Sequence, residues 1–171
     1  LYTRTDMEVS IKTRIGFNSE DEWEDILEIY SRHPIPELII HPRIQKDFYK
    51  NSPRLDAFAM AVDKIDSKKT KLCYNGDITN KAFFDQLVDR FPSIDSYMIG
   101  RGLYAYPGLI AVLDSDRQRK STQSDYLTRL RAFCDEILQG YLNDFGSPKD
   151  AMFHMKEIWS FLYNSFENSD K

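Results

Sequence analysis

Leu72-Cys73-Tyr74-Asn75-Gly76-Asp77 opens as an apolar run and stops on a polar, glycine-bearing signature. Three other stretches repeat that form: Val9-Ser10-Ile11-Lys12-Thr13-Arg14, Leu38-Ile39-Ile40-His41-Pro42-Arg43 and Tyr97-Met98-Ile99-Gly100-Arg101-Gly102. Strands buried in a parallel sheet read as near-continuous apolar runs, and in barrels of alternating strands and helices the chemistry gathers where the strands end. Helical patterns separate the four runs, so each reads as a βα unit of one parallel sheet. On this reading Lys12, His41, Asn75 and Gly100 point into one shared site.

The intervening segments carry helix punctuation. Ser19-Glu20-Asp21-Glu22 reads as a capping box, and Trp23, Ile26, Leu27 and Tyr30 then fall at helical spacing, which predicts a helix over 20–32 ended by Pro34 and Pro36. Arg43 to Asn51 reads as a long polar loop carrying Phe48 and Tyr49. Pro53 opens the next helix, with Leu55, Phe58, Ala59, Val62 and Ile65 on its buried face. Thr79 or Asn80 caps a third helix, whose stripe is Phe83, Phe84, Leu87, Val88 and Phe91, and Pro92 stops it. A short helix is expected after Gly102. Residues 114–120 read as a linker, followed by a long amphipathic helix from Tyr126 to Tyr141, a Gly146-Ser147-Pro148 break and a last bundle-like helix from Met152 to Tyr163.

The chain of 171 residues is short for a complete eightfold barrel, which takes about 250. Its 42% hydrophobic and 13% aromatic content fits a folded domain, and its net charge of −4 excludes a generally basic nucleic-acid binder. Local basic clusters remain: Arg117, Arg119, Lys120, Arg129 and Arg131, and separately Lys46 and Lys50 in the loop after His41. They read either as RNA-facing charge or as a solvated face. Cys73 and Cys134 lack metal-site spacing and read as reduced core thiols, so no metal is expected. No stretch approaches the ~20 apolar residues of a membrane span, and a cytoplasmic location is expected.

The four endings, in order, resemble the second half of the tRNA-dihydrouridine synthases, flavin enzymes built on a TIM barrel with a helical domain behind it. That family's strand five carries V-K-x-R, matched by Ile11-Lys12-Thr13-Arg14, and its strand six V-H-G-R, matched by Ile40-His41-Pro42-Arg43. Strand seven carries N-G-D, matched by Asn75-Gly76-Asp77, and strand eight M-I-G-R-G, matched by Met98 to Gly102. The resemblance is close over about residues 7 to 113 and looser in the helical tail, where Lys156 and Trp159 align with a K-H-l-x-W stretch whose histidine is here Glu157. The family's N-x-G-C-P motif, with its catalytic cysteine, and its flavin-contacting glutamine have no counterpart here.

The resemblance therefore implies an α/β fold: a partial TIM barrel of about four βα units over 1–113, the 114–120 linker, and a small helical tRNA-binding domain over 121–171. It implies FMN as cofactor, NAD(P)H as reductant and tRNA as partner, with no catalytic residue in this chain. Lys12, His41, Asn75, Gly76, Asp77, Gly100 and Arg101 are the implied cofactor contacts, with glycines at strand-to-helix turns serving the phosphate. Arg43, Lys46, Tyr49, Arg119 and Lys120 are candidate RNA contacts. Several positions admit two readings. Arg43 and Arg14 either meet RNA or pair with carboxylates such as Asp77, and Asp77 itself is either a helix-end charge or an acceptor for a cofactor hydroxyl. Read as the C-terminal portion of a longer protein, inactive alone, the chain should leave open sheet edges and an uncovered apolar inner face. Either the first half of the barrel or a second copy of the chain would cover that face. The alternatives are another FMN- or phosphate-binding barrel oxidoreductase and a non-catalytic RNA-binding fragment.

Overall fold

The computed structural model describes residues 7–48, 50–114, 123–163 and 166. Tyr49, Arg119, Lys120 and most of the expected 114–120 linker lie outside the described residues. The chain divides into two compact units: Leu1–Ile78 with Asp85–Ile99, and Thr79–Phe84 with Gly100–Lys171.

The first unit is built on four strands, β1 (Ile11–Gly16), β2 (Glu37–Ile44), β3 (Lys71–Asn75) and β4 (Ser96–Met98), all parallel and in chain order β1-β2-β3-β4. Helices α1 (Glu22–Ser31) and α2 (Leu55–Lys64) follow β1 and β2, and α3 (Lys81–Arg90) follows β3. A cross-bond from Trp23 Nε1 to the Ala57 carbonyl, 2.7 Å, ties α1 to α2, and both helices rest on the same sheet face. Tyr30 Oη meets Thr13 Oγ1 at 3.1 Å, and the Phe58 ring stands edge-on to Tyr74 at 5.0 Å and to Phe91 at 5.0 Å. Trp23, Leu27, Leu38, Ile40, Phe58, Tyr74 and Leu87 make this interface the buried core.

Side chains alternate between sheet faces, so the register fixes what lies opposite. Arg14 is level with His41, Ile39 with Cys73, and Asn75 with Met98. The face away from the helices therefore carries Lys12 and Arg14 from β1, Ile39, His41 and Arg43 from β2, Cys73 and Asn75 from β3, and Ser96 and Met98 from β4. This corrects the expectation of an apolar inner face: each strand brings at least one polar group to it. The strand ends shift too. β2 continues through Ile44 rather than stopping at His41, and past Pro42 the register slips so that Gly16 meets Ile44. Proline has no N–H to give the ladder and is tolerated in strands at such irregularities.

Local punctuation follows the sequence with one change. Asn80 Oδ1 accepts from the Phe83 N–H at 2.9 Å, as a cap should. At α1 only half of the capping box forms: Glu22 reaches back to the N–H groups of Phe17, Asn18 and Ser19 at 2.8–3.0 Å, while Ser19 Oγ turns to Asp21. Within α3, Leu87 is buried but Val88 is exposed.

In the second unit α4 (Arg101–Ala105) and α5 (Leu109–Leu113) are single turns, followed by α6 (Gln123–Phe145) and α7 (Pro148–Leu162). Ser147 caps α7, with Pro148 in its first turn. α7 packs on α6 and α4 through Ala151, Met155, Ile158 and Leu162, all buried. The predicted stripe of α6 is only partly covered: Leu130 is buried, while Leu127 and Phe133 remain exposed. Among the described residues no helix is long and apolar enough to cross a membrane.

Candidate functional site

The C-terminal ends of β1 to β3 gather Arg14, His41, Arg43 and Asp77, while Lys12, expected at a strand end, is the second residue of β1 and lies one step back on the same face, level with Ile39. Arg43 is the centre. Its side chain is only 1% exposed, and its guanidinium forms a two-pronged ion pair with Asp77, one bond at 3.0 Å. One of its nitrogens also lies 2.9 Å from His41 Nε2, and Nε donates to the Asn51 carbonyl. Arginine has only donors, so His41 Nε2 accepts and the imidazole is neutral with its proton on Nδ1. The pairing alternative for Arg43 is thus the one the geometry realises, and a guanidinium this buried has no surface to offer RNA.

His41 is itself buried. Burial, then the positive charges of Arg14, Arg43 and Lys12, lower its pKa to about 4, against a smaller opposing pull from Asp77. The ring is therefore uncharged near neutrality. Lys12 is exposed on the same face, and its ammonium is shifted down by desolvation against the sheet and by Arg14. Arg14 donates to the carbonyls of Ile44 (2.8 Å) and Phe48 (3.2 Å), which fastens the end of β1 to the loop after β2. Asn75 lies on the inner face, and its amide donates to the Met98 carbonyl at 2.8 Å, locking β3 to β4.

Gly76 and Asp77 form the turn out of β3. A Cβ at Gly76 would sit 3.1 Å from Tyr74 Oη and 3.2 Å from Pro53 Cγ, so a side chain here would crowd both neighbours. Asp77 adopts φ +45°, a left-handed conformation that Asp and Asn tolerate better than most residues, and that backbone turns its carboxylate onto Arg43.

In the second unit, Gly100 precedes α4 with φ −112° and ψ −96°, and a Cβ there would meet nothing within 4 Å. Its surroundings are open, unlike those of Gly76. Arg101 is half-buried in the first turn of α4.

The sequence reading missed how the loop after β2 is held. Asp47, 5% exposed, accepts from Arg54, from the Asn51 amide at 2.5 Å and from the Ile44 N–H at 3.1 Å. Arg54 also pairs with Glu20, and its N–H donates to the Pro42 carbonyl at 2.7 Å. The Arg54 hydrogen bond above all brings the Asp47 pKa down to about 2. The signal was in the sequence: an Asp with Asn and Arg four and seven residues on, in a segment too polar to pack otherwise. Lys46 is exposed on the outside of this loop.

A family model described as Dihydrouridine synthase (Dus) matches residues 1–171. A "Probable tRNA-dihydrouridine synthase" of Staphylococcus epidermidis is 35% identical over 157 residues, covering 90% of this chain and 44% of that relative. One from Staphylococcus aureus is 35% identical over 102 residues, covering 58% of this chain and 30% of its own length. A "Probable tRNA-dihydrouridine synthase 2" of Bacillus subtilis is 31% identical over 105 residues, 58% of this chain and 31% of that protein. The chain spans less than half the length of these curated relatives.

Proposed function

Because this chain belongs to the dihydrouridine synthase family, we propose that the protein carrying it reduces uridine in tRNA to 5,6-dihydrouridine with FMN and NAD(P)H. The four βα units are read as the second half of a TIM barrel and α6 with α7 as the helical tRNA-binding part, divided at 114–120. The observation that carries this reading is the C-terminal end of the inner face: Arg14 and Arg43, with Lys12 one step back along β1, beside the carboxylate of Asp77, on parallel strands laid down in chain order. In a doubly wound sheet the order would reverse and helices would cover both faces. Here the order never reverses, and α1 and α2 share one face.

The residues present fit a flavin phosphate, which carries about two negative charges. Within the first unit Lys12 offers a positive charge, His41 a neutral hydrogen-bonding ring, and Asn75 a side chain fixed in place by Met98. Asp77 acts at one remove, by holding Arg43. Gly76 lets the β3 turn pass Tyr74. Within the second unit Gly100 offers backbone unobstructed by a side chain, and Arg101 a nearby charge. FMN, when bound, supplies the hydride chemistry; the protein's part is binding and electrostatics, and a positive group beside the flavin ring favours its electron-rich reduced form. The family's cysteine acid has no counterpart in this sequence and is assigned to the part of the protein this chain does not include. A second copy of the chain, or the remaining strands, would complete the barrel.

The test is a flavin fluorescence titration of the purified chain with Lys12→Ala beside it. The expected result is saturable FMN binding that the substitution weakens by on the order of 10- to 100-fold, the worth of one charged hydrogen bond. Equal affinity of the two proteins overturns the role of Lys12; no dihydrouridine in tRNA incubated with the complete, FMN-loaded protein and NAD(P)H overturns the activity.

A further inference from the structure

The loops leaving β1 and β2 carry a feature that flavin binding does not use. Phe48 is 65% exposed, and its backbone sits at φ +50°, ψ −100°, a region costly for a side-chain-bearing residue. Phe17, at the end of β1, is 53% exposed. The two loops are joined: the Lys46 N–H donates to the Phe17 carbonyl at 3.3 Å, and Arg14 donates to the Phe48 carbonyl. Lys46 and Lys50 flank Phe48, and both are exposed.

Within the first unit Trp23, Phe58, Tyr74 and Phe91 are buried, and among its described residues Phe17 and Phe48 are the aromatic rings that stand exposed; the framework around them argues that they are held out. Asp47, the residue before Phe48, is buried in a net of four donors from Ile44, Asn51 and Arg54. Arg14 grips the following carbonyl. The strained backbone is thus fixed from both sides, and it aims an apolar ring at water rather than into the core. The exposed charges of the loop itself are Lys46 and Lys50, because Asp47 is the only acid between Arg43 and Arg54 and is turned inward onto Arg54, which also pairs with Glu20. Two other carboxylates lie close by: Glu20 pairs with Arg54, and Glu22 is held by three backbone N–H groups, with Lys46 the smallest of the influences on it.

Rings presented beside lysines are what a protein uses to grip unpaired nucleotides: each base has a face on which to stack, and the lysines track phosphates. We propose that Phe48 and Phe17, flanked by Lys46 and Lys50, form a stacking platform for an unstacked base of an RNA strand, beside the cofactor site and distinct from it. The proposal rests on the RNA-directed reading above and names where RNA is held on the first unit. Double-stranded RNA, whose bases stay stacked on each other, has little to gain from these rings.

The experiment is a fluorescence anisotropy titration of the purified chain with labelled oligouridine, with the same strand made abasic, and with a duplex of equal length. Phe48→Leu keeps an apolar side chain and removes the ring; Phe48→Trp keeps a ring. Phe48→Leu is expected to weaken oligouridine binding ~5- to 100-fold, the range of base–aromatic stacking, with Phe48→Trp near the parent and abasic binding unchanged. Phe17→Leu should act in the same direction. Lys46→Gln with Lys50→Gln weakens both single strands and lowers the salt slope by about 0.7 per lysine. The platform is overturned if Phe48→Leu binds oligouridine like the parent, if it loses the abasic strand equally, or if the parent chain shows no saturable binding. Flavin titration of the same variants separates the two readings: FMN bound normally with oligouridine affinity indifferent to Phe48 removes the platform alone. Ring-dependent oligouridine binding in a chain that takes no FMN removes the flavin reading and leaves the platform.

Discussion

Replacing Asp77 by Asn tests the idea that Asp77 serves Arg43 before it serves any ligand. Asn is nearly isosteric and tolerates the left-handed φ of +45°, so the substitution changes charge and little else. Arg43 is 1% exposed and would keep its full charge without a counterion. Breaking a buried pair from one side costs about 3–5 kcal/mol. Two effects reduce that figure here: the amide oxygen retains one hydrogen bond, worth about 1 kcal/mol, and the Asp77 side chain is 33% exposed, so water reaches its end of the pair. The expected loss is about 2–4 kcal/mol. Arg43→Met removes the charge together with its donors to His41 and Asn51. Once Arg43 is gone, Asp77→Asn should cost almost nothing. The assay is urea unfolding followed by tryptophan emission, with buried Trp23 reporting on the first unit. If Asp77→Asn costs the same in the Arg43→Met background as in the parent, within about 0.5 kcal/mol, the two side chains are independent and the reasoning fails.

Acid should destabilise the first unit in two stages. The His41 pKa falls from 6.5 to about 4 on folding, so its contribution is complete above about 6.5 and is lost as pH falls toward 4, about 3 kcal/mol in all; His41→Gln should flatten stability over that window. Asp47, lowered from 3.8 to about 2, contributes fully above 3.8 and loses its share between there and 2, a leg that Asp47→Asn should remove while lowering stability at neutral pH. Gly16→Ala places a Cβ 2.2 Å from the Ser19 carbonyl oxygen and should cost at least the ~1–3 kcal/mol of overpacking, whereas Gly140→Ala in α6, with nothing within 4 Å, should be neutral or gain up to about 1 kcal/mol in the same urea melts. Phe48→Gly relieves a positive φ and removes a ring that little covers, so the chain should melt no lower than the parent; a clear drop would mean that the ring is packed.

The four strands and most helices were legible because each rests on local periodicity: Leu38, Ile40, Leu72 and Tyr74 are apolar where the core needs them, and Asn80 and Ser147 sit where helices need caps. The apolar inner face expected of a half-barrel does not hold, and period-two alternation in β1 already puts Lys12 and Arg14 on one side. Arg43 was legible only as a choice between RNA and Asp77, because the 34 residues separating the pair carry no local signal of contact. The Asp47–Asn51–Arg54 net was present in the sequence as spacing, yet nothing local says that Asp47 turns inward. The open space at Gly100 and the filled space at Gly76 are likewise tertiary facts, invisible in two motifs that both read as glycine turns.

A sheet whose spatial order repeats its chain order also shapes how the chain can assemble. Neighbouring strands pair residues 23 to 34 positions apart, as in Cys73 with Ser96 and Glu37 with Lys71, and no pairing skips a strand. Loop-closure entropy grows only logarithmically, so the three closures differ by about 0.3 kcal/mol, and none waits on a distant partner. Each βα unit can dock on the one already made as the chain leaves the ribosome, in the manner of a repeat protein growing from one end. The last of the four in place is β4, the shortest with three residues, and in the half-barrel reading its edge and that of β1 are the two at which the sheet would be continued and closed.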